Sequence, residues 1–229
     1  VAVQSGMCHE AIGTDTGGSV RQPAEFCGVI GLKPTYGRIS RHGIIAYASS
    51  FDQVGPITRS INDAALLLEV MAGPDEYDST LIQAPLPAMN LADKPIGAKR
   101  IAYLKEALES EGTDAEVKAM LNANIEKLRA AGHTVEPVSF EHLDYLVPTY
   151  YILATAEASS NLARYDGVHY GYRSPAATDL MSTYKLSRSE GFGKEVKRRI
   201  MLGTFVLSAG YYDAYYAKAQ KVRRLIQQK

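Results

Sequence analysis

Apolar and polar positions along the chain change rhythm near its middle. Residues 7–15 (MCHEAIGTD) read as a short buried strand running into a glycine turn. Residues 19–28 (SVRQPAEFCG) read as one helical segment ended by Gly28, with Pro23 in the first turn, where its missing N–H costs nothing. VIGLKPT (29–35) predicts a second strand stopped by Pro34, and residues 36–56 read as loop, punctuated by Gly37, Gly43 and Gly55-Pro56. SINDAALLLEVMAG (60–73) predicts a helix capped by Ser60, with Asp63 three residues on.

Residues 74–97 hold four prolines and no period, so a subdomain boundary is expected near 74–98. Beyond them, KRIAYL (99–104) and HTVEPVSF (133–140) read as strands on either side of a helix over 113–132. Val117, Leu121, Ile125 and Leu128 fall on one face of that helix, and Gly132 ends it. From Thr149 onward, segments at 150–165, 195–210 and 211–227 carry the 3.6-residue period. Strand and helix alternate early and helices dominate late. The fold class is α/β, a sheet covered by helices with a helix-rich C-terminal half.

Composition narrows the functional classes. The 229 residues are 46% apolar and 22% charged, ordinary for a globular protein with a sizeable core. Twenty-five basic residues balance 25 acidic ones, which argues against a broad nucleic-acid or membrane-binding surface. No apolar run approaches the ~20 residues of a membrane span. Cys8 and Cys27 form no CxxC pair and are expected as small buried thiols in a reducing, cytoplasmic setting. The chain opens on Val1 and closes on a helical pattern in mid-course, so it is expected to be a fragment of a longer protein.

The chemistry concentrates in GTDTGGS, residues 13–19, which holds three glycines, two threonines, an aspartate and a serine. Four readings compete. The first is a glycine turn in which Ser19 is only an N-cap. A phosphate cradle fits poorly, because no Lys follows Gly18 and no G-x-G-x-x-G is present. Asp15-Thr16-Gly17 spells an aspartic-protease tripeptide, but no second copy supplies the partner carboxylate. The fourth is nucleophilic catalysis. Ser19 would lie at the positive end of a helix, with the backbone N–H groups of Thr16, Gly17, Gly18 and Ser19 converging as an oxyanion hole. That reading lacks a base for the serine proton. His9 lies in the presumed strand, and His42, His133, His142 and His169 are scattered without an acidic pattern.

Residues 13–40, GTDTGGSVRQPAEFCGVIGLKPTYGRIS, closely resemble the second half of the amidase signature, and SSFDQVGPITRS (49–60) matches the S-x-D-x-x-G-P segment of the same family. The resemblance implies the amidase-signature fold, a mixed β-sheet covered by helices, with residues 1–229 forming part of a single domain. It implies a serine hydrolase of amides whose base is a Lys acting through a bridging serine. Ser19 matches the nucleophile, and Thr16, Gly17 and Gly18 match the backbone oxyanion hole. The Lys and the bridging serine would precede the residues present here, so the fragment alone is expected to be inactive. Asp15, Arg21 and Asp52 read as braces of the loops rather than as reacting groups.

Two downstream blocks, 154–173 and 187–223, resemble a narrower branch, the glutaminase subunits of bacterial tRNA-dependent amidotransferases. That branch implies release of ammonia from glutamine and its delivery to a partner that amidates Glu-tRNA(Gln) or Asp-tRNA(Asn). The implied partners are the B and C subunits, with aminoacyl-tRNA reached only through them. ATP and Mg²⁺ would serve the partner subunit; no cofactor and no metal is expected in this chain. By position, Tyr150 and Arg199 correspond to the residues that hold the glutamine α-carboxylate and amine region, a task suited to a planar guanidinium fork. Arg199 also sits beside Lys197 and Arg198, where a solvated helix face is the plainer reading. The tyrosines at 211, 212, 215 and 216 read as packing with polar tips. A stand-alone amidase acting on another small amide, and a truncated piece without catalysis, remain as alternatives.

Overall fold

Three antiparallel strands carry the Gly-rich loop. In the computed structural model, which describes residues 1–87, 89 and 97–228, they are β1 (Ala11–Asp15), β2 (Ile30–Gly31) and β3 (Gln53–Thr58), in the order β1-β3-β2. Their register pairs Ala11 with Ile57, Asp15 with Gln53, and Ile30 with Thr58. Helix α1 (Arg21–Phe26) joins β1 to β2, and helix α2 (Ile61–Met71) follows β3. Leu68 of α2 closes over Val54 of β3 and Ile39 to form a buried apolar cluster. Each such side chain contributes ~1.5–3 kcal/mol when fully buried.

The central strand is a correction to the sequence reading. Gly55 and Pro56 were expected to punctuate a loop, yet both lie in β3. Proline inside a sheet removes one ladder hydrogen bond. Here the loss falls just past the two-residue β2, and the Pro56 carbonyl still accepts from Leu32 N at 3.0 Å. The first strand is also shorter than read. It starts at Ala11, alternates in exposure rather than being buried throughout, and leaves His9 exposed ahead of it.

By contrast, α2 forms as its cap signal dictates: Ser60 Oγ accepts from Asp63 N at 3.1 Å. Helix α3 (Lys105–Glu109), too short to show a period, follows directly on β4 (Arg100–Leu104). Helix α4 (Ala115–Ala130) is capped by Asp114, whose carboxylate accepts from Glu116 N at 2.8 Å, and leads to β5 (Thr134–Val138). Strands β4 and β5 pair in parallel, Arg100 with Thr134 through Leu104 with Val138, as a β-helix-β unit requires. The apolar face of α4 is only partly covered among the described residues: Ile125 and Leu128 border an apolar depression with Ile101 and Val135, while Val117 remains 43% exposed.

Helix α5 (Leu143–Asn161) begins six residues before the expected Thr149, with Pro148 inside its second turn. Helix α6 (Leu180–Gly191) gave no apolar period because its buried positions are Thr183 and Ser187. Its one sequence mark is a capping box between Asp179 and Ser182. Helices α7 (Lys194–Val206) and α8 (Lys218–Gln227) follow, with a π-helical turn at Asp213–Ala217 before α8.

By internal contacts the chain divides into two units, Val1–Leu91 with Tyr150–Ala219, and Ala92–Thr149 with Gln220–Lys229. Part of the segment 74–98, read as a boundary, lies outside the described residues. Among the described residues no helix is long and apolar enough to cross a membrane.

Candidate active site

The turn from β1 into α1 is built around one buried carboxylate. Asp15, the last residue of β1, is fully buried. Its oxygens accept from Gly18 N (2.7 Å), Val20 N (3.3 Å), Arg21 Nε (3.0 Å) and Arg21 Nη2 (3.1 Å). Burial alone would raise the Asp15 pKa; the Arg21 fork and the two amides outweigh it and hold the carboxyl below its ordinary range. The brace expected of Asp15 and Arg21 is therefore present.

Ser19 stands exposed on the outer side of this turn. The first helical bond runs from Gln22 N to Gly18 O at 2.8 Å, and the N-cap is Val20, with no side-chain cap. Ser19 Oγ therefore caps nothing, which removes the plainest reading of that serine. The amides of Thr16, Gly17 and Ser19 have no partner among the described residues. The Gly18 amide is the exception, because it points inward to Asp15. Of the four expected donors, three are left for a developing oxyanion. Gly18 holds φ at +130°, a region that side-chain-bearing residues rarely adopt.

Tyr150 closes one side of the turn. Its hydroxyl and Thr16 Oγ1 lie 2.8 Å apart, and its ring lies against Gly17, where an added Cβ would stand 3.1 Å from two ring carbons. Phe51 meets the Tyr150 ring edge-on at 5.9 Å, and Tyr151 meets it at 5.5 Å. Tyr151 in turn stacks under the Arg199 guanidinium at 5.7 Å. The approach of α5 to α7 sets this contact. A Cβ on Gly203 would fall 1.9 Å from the Thr155 carbonyl oxygen, and Tyr151 and Arg199 each lie one turn before that crossing point.

Arg199 does not lie on a freely solvated face with its neighbours. Its side chain is 29% exposed, against 76% for Arg198. Its Nε donates to Glu195 Oε1 at 2.9 Å and its Nη1 to the Tyr47 hydroxyl at 2.8 Å. Both bonds push its pKa further up, so the charge is permanent.

In the loop from Tyr47 to Asp52 the sequence reading marked Asp52 and missed Tyr47. Asp52 is buried and accepts from Tyr47 N (3.0 Å) and Ala48 N (3.1 Å), the bracing role read for it. Glu157 accepts from Ser50 N at 2.8 Å and also from Ser50 Oγ. Asn161 Nδ2 donates to the Tyr47 carbonyl (3.1 Å) and to Ser49 Oγ (3.0 Å). The S-x-D segment gave a sequence signal for Asp52, but nothing local marks Tyr47, Glu157 or Asn161, which meet only in three dimensions.

The remaining candidates lie elsewhere. Cys8 and Cys27 are free and only partly buried, against the buried thiols expected. His169 bonds Asp166 at 2.8 Å on an exposed turn, and His42 stacks on Tyr77. Tyr211, Tyr212 and Tyr215 are 45%, 45% and 41% exposed: Tyr211 and Tyr215 lie against Phe205 and each other, and Tyr212 against Tyr216, so the packing read for them is only partial. Among the described residues no cluster of His, Cys, Asp and Glu could hold a metal ion.

The chain belongs to the Amidase family, whose pattern it matches over residues 1–229. It is 56% identical to the glutamyl-tRNA(Gln) amidotransferase A subunit of Solidesulfovibrio magneticus, over 99% of this chain and 47% of that protein. The Acinetobacter baumannii subunit of the same name is also 56% identical, over 99% of this chain and 46% of its own length. The crystal structure of the Thermotoga maritima subunit superposes with a TM-score of 0.73 at 42% identity, covering 99% of this chain and 44% of that one. A peptide amidase from Stenotrophomonas maltophilia superposes with a TM-score of 0.67 at 28% identity, covering 96% of this chain and 45% of that one. The amidase-signature fold is thus shared across relatives of different names. The chain spans about half the length of the curated relatives it matches.

Proposed function

We propose that the protein to which these residues belong is the glutaminase subunit of a tRNA-dependent amidotransferase. The observation that carries this is the Ser19 turn, with a hydroxyl that caps nothing beside three unpartnered amides. Ser19 Oγ attacks the side-chain carboxamide carbon of glutamine. The carbonyl oxygen gathers negative charge facing the amides of Thr16, Gly17 and Ser19, and removal of one such donor typically costs ~10²–10³-fold in rate. The C–N bond breaks, ammonia leaves, and water then hydrolyses the γ-glutamyl ester. The serine proton passes to a Lys through a bridging serine, as the family resemblance implies. Arg199 holds the substrate α-carboxylate, and Tyr150 flanks it.

Ammonia goes to the partner B and C subunits, where ATP and Mg²⁺ activate Glu-tRNA(Gln), or Asp-tRNA(Asn), for amidation in the cytoplasm. High identity to subunits of that name supports this reading over a stand-alone amidase. Ser19→Ala in the full-length protein with its partners tests it. Glutamine-dependent amidation is expected to disappear and ammonium-dependent amidation to persist; a retained glutamine-dependent rate removes Ser19 as nucleophile. Residues 1–229 alone are expected to release no measurable ammonia from glutamine, because no basic side chain bonds Ser19 among the described residues. General-base assistance is worth ~10²–10⁴-fold.

A further inference from the structure

Both polar backbone atoms of Tyr47 are held by side chains, one from its own loop and one from α5. Asp52 accepts from its N–H at 3.0 Å, and Asn161 of α5 donates to its carbonyl at 3.1 Å. The next residues are fixed as firmly: Tyr36 donates to the Ser49 carbonyl at 2.9 Å, and Glu157 takes the Ser50 amide at 2.8 Å. A loop residue pinned this way presents its side chain in one place. What it presents is a partly buried phenol that accepts from Arg199 Nη1 at 2.8 Å, with its ring 5.9 Å from the same guanidinium.

The guanidinium is thereby fixed at two of its three nitrogens, Nε by Glu195 and Nη1 by Tyr47. Nη2 has no partner among the described residues. The phenol, accepting from Nη1, keeps its own proton, and no acceptor for it is found among the described residues. Burial raises the phenol pKa beyond what Arg199 takes back, so the proton stays on oxygen at neutral pH. Two donors thus remain, Nη2 and the phenol O–H, linked through the 2.8 Å bond from Nη1 to the phenol oxygen, the number a carboxylate needs for its two oxygens.

We propose that Tyr47 is a positioning and specificity-determining residue. It aligns Arg199 end-on toward the substrate α-carboxylate and selects amides that carry that carboxylate. This rests on the glutaminase reading above, and the experiment separates the two. In the full-length protein assembled with its partners, KM and kcat for glutamine are compared with the inhibition constant of 4-aminobutanamide, which is glutamine without its α-carboxylate.

Tyr47→Phe keeps the ring and removes only the hydroxyl. The variant is expected to raise the glutamine KM roughly tenfold, as loss of a hydrogen bond to a charged group does, with kcat and the 4-aminobutanamide constant within about twofold. An unchanged glutamine KM overturns the proposal, as does a parallel rise in both constants, which would mean a loosened loop. Arg199→Lys is the reference variant. If it raises the glutamine KM while Tyr47→Phe does not, only the role of Tyr47 fails; if it too leaves KM unchanged, the reading of Arg199 as carboxylate anchor fails and the role of Tyr47 with it.

Discussion

Two turns beside the candidate site are braced by the same device and carry opposite electrostatics. In the turn after β1, buried Asp15 accepts from the amides of Gly18 and Val20. In the loop before β3, buried Asp52 accepts from the amides of Tyr47 and Ala48. The difference is the cation. Arg21 grips Asp15 through two nitrogens, and the carboxyl sits below its ordinary range even though burial pushes the other way. Asp52 has no such fork; burial outweighs its two amides, and its pKa is pushed up. The first turn is therefore braced by a carboxylate held in its charged form by four donors. The second loop holds an aspartate whose carboxyl burial pushes above its ordinary range, and it is this loop that carries Tyr47 to Arg199.

The sharpest way to break this comparison acts on the first turn. Ser19→Ala should lower glutamine hydrolysis by the full-length protein by at least about 10³-fold, since members of a unit that acts together are not additive. Its unfolding midpoint should not move, because Ser19 Oγ caps nothing in the fold. A steady-state ammonia assay and a thermal melt check both halves.

Next in size is Gly17→Ala. Its new methyl would crowd the Tyr150 ring at 3.1 Å, and Tyr150 cannot swing away without stretching its 2.8 Å bond to Thr16. A shift of ~1 Å in a reacting geometry costs on the order of 100-fold, and kcat/KM should fall by about that much.

The aspartates themselves sharpen the contrast. Asp15→Asn replaces a charged acceptor of four donors by a neutral one, and about 2–3 kcal/mol of stability should be lost at pH 7 in urea unfolding. Asp52→Asn should cost less than about 1 kcal/mol, because relief of a buried charge offsets a weakened amide bond.

The two gaps should then move in opposite directions with acid. A lowered folded-state pKa gives stability that is present above the unfolded value of about 3.9 and is lost as pH falls below it. The gap between wild type and Asp15→Asn should therefore narrow from pH 4.5 toward 3, values set by that same reference of ~3.9. A raised folded-state pKa gives stability that is fully present below the unfolded value and is lost as pH rises through the folded one. The gap between wild type and Asp52→Asn should therefore widen as pH falls toward the unfolded value of about 3.9. Parallel slopes for both variants would show that the two braces are electrostatically alike.

The same two regions show how far a sequence can be read. Residues 13–19 announced their turn because glycines, a serine and an aspartate lie next to one another, and the chemistry is local. The helix at 61–71 was equally legible from Ser60, Asp63 and its apolar stripe. Strand β3 was not, since Gly55-Pro56 is a turn signal that only the shortness of β2 permits inside a sheet. Helix α6 hid because it buries Thr183 and Ser187 instead of apolar residues. Of the candidate site, Tyr150 and Arg199 came through resemblance alone. Tyr47 could not be found, because the residues that fix it lie 5, 114 and 152 positions away.

The account stands most directly on Ser19 forming a bond to substrate. Full-length protein, mixed with glutamine and quenched in acid within the first turnover, should carry a γ-glutamyl group on the peptide that ends at Arg21. Fragmentation in the mass spectrometer should place it on Ser19. Label on any other residue, or ammonia release with no label on that peptide, would contradict the account.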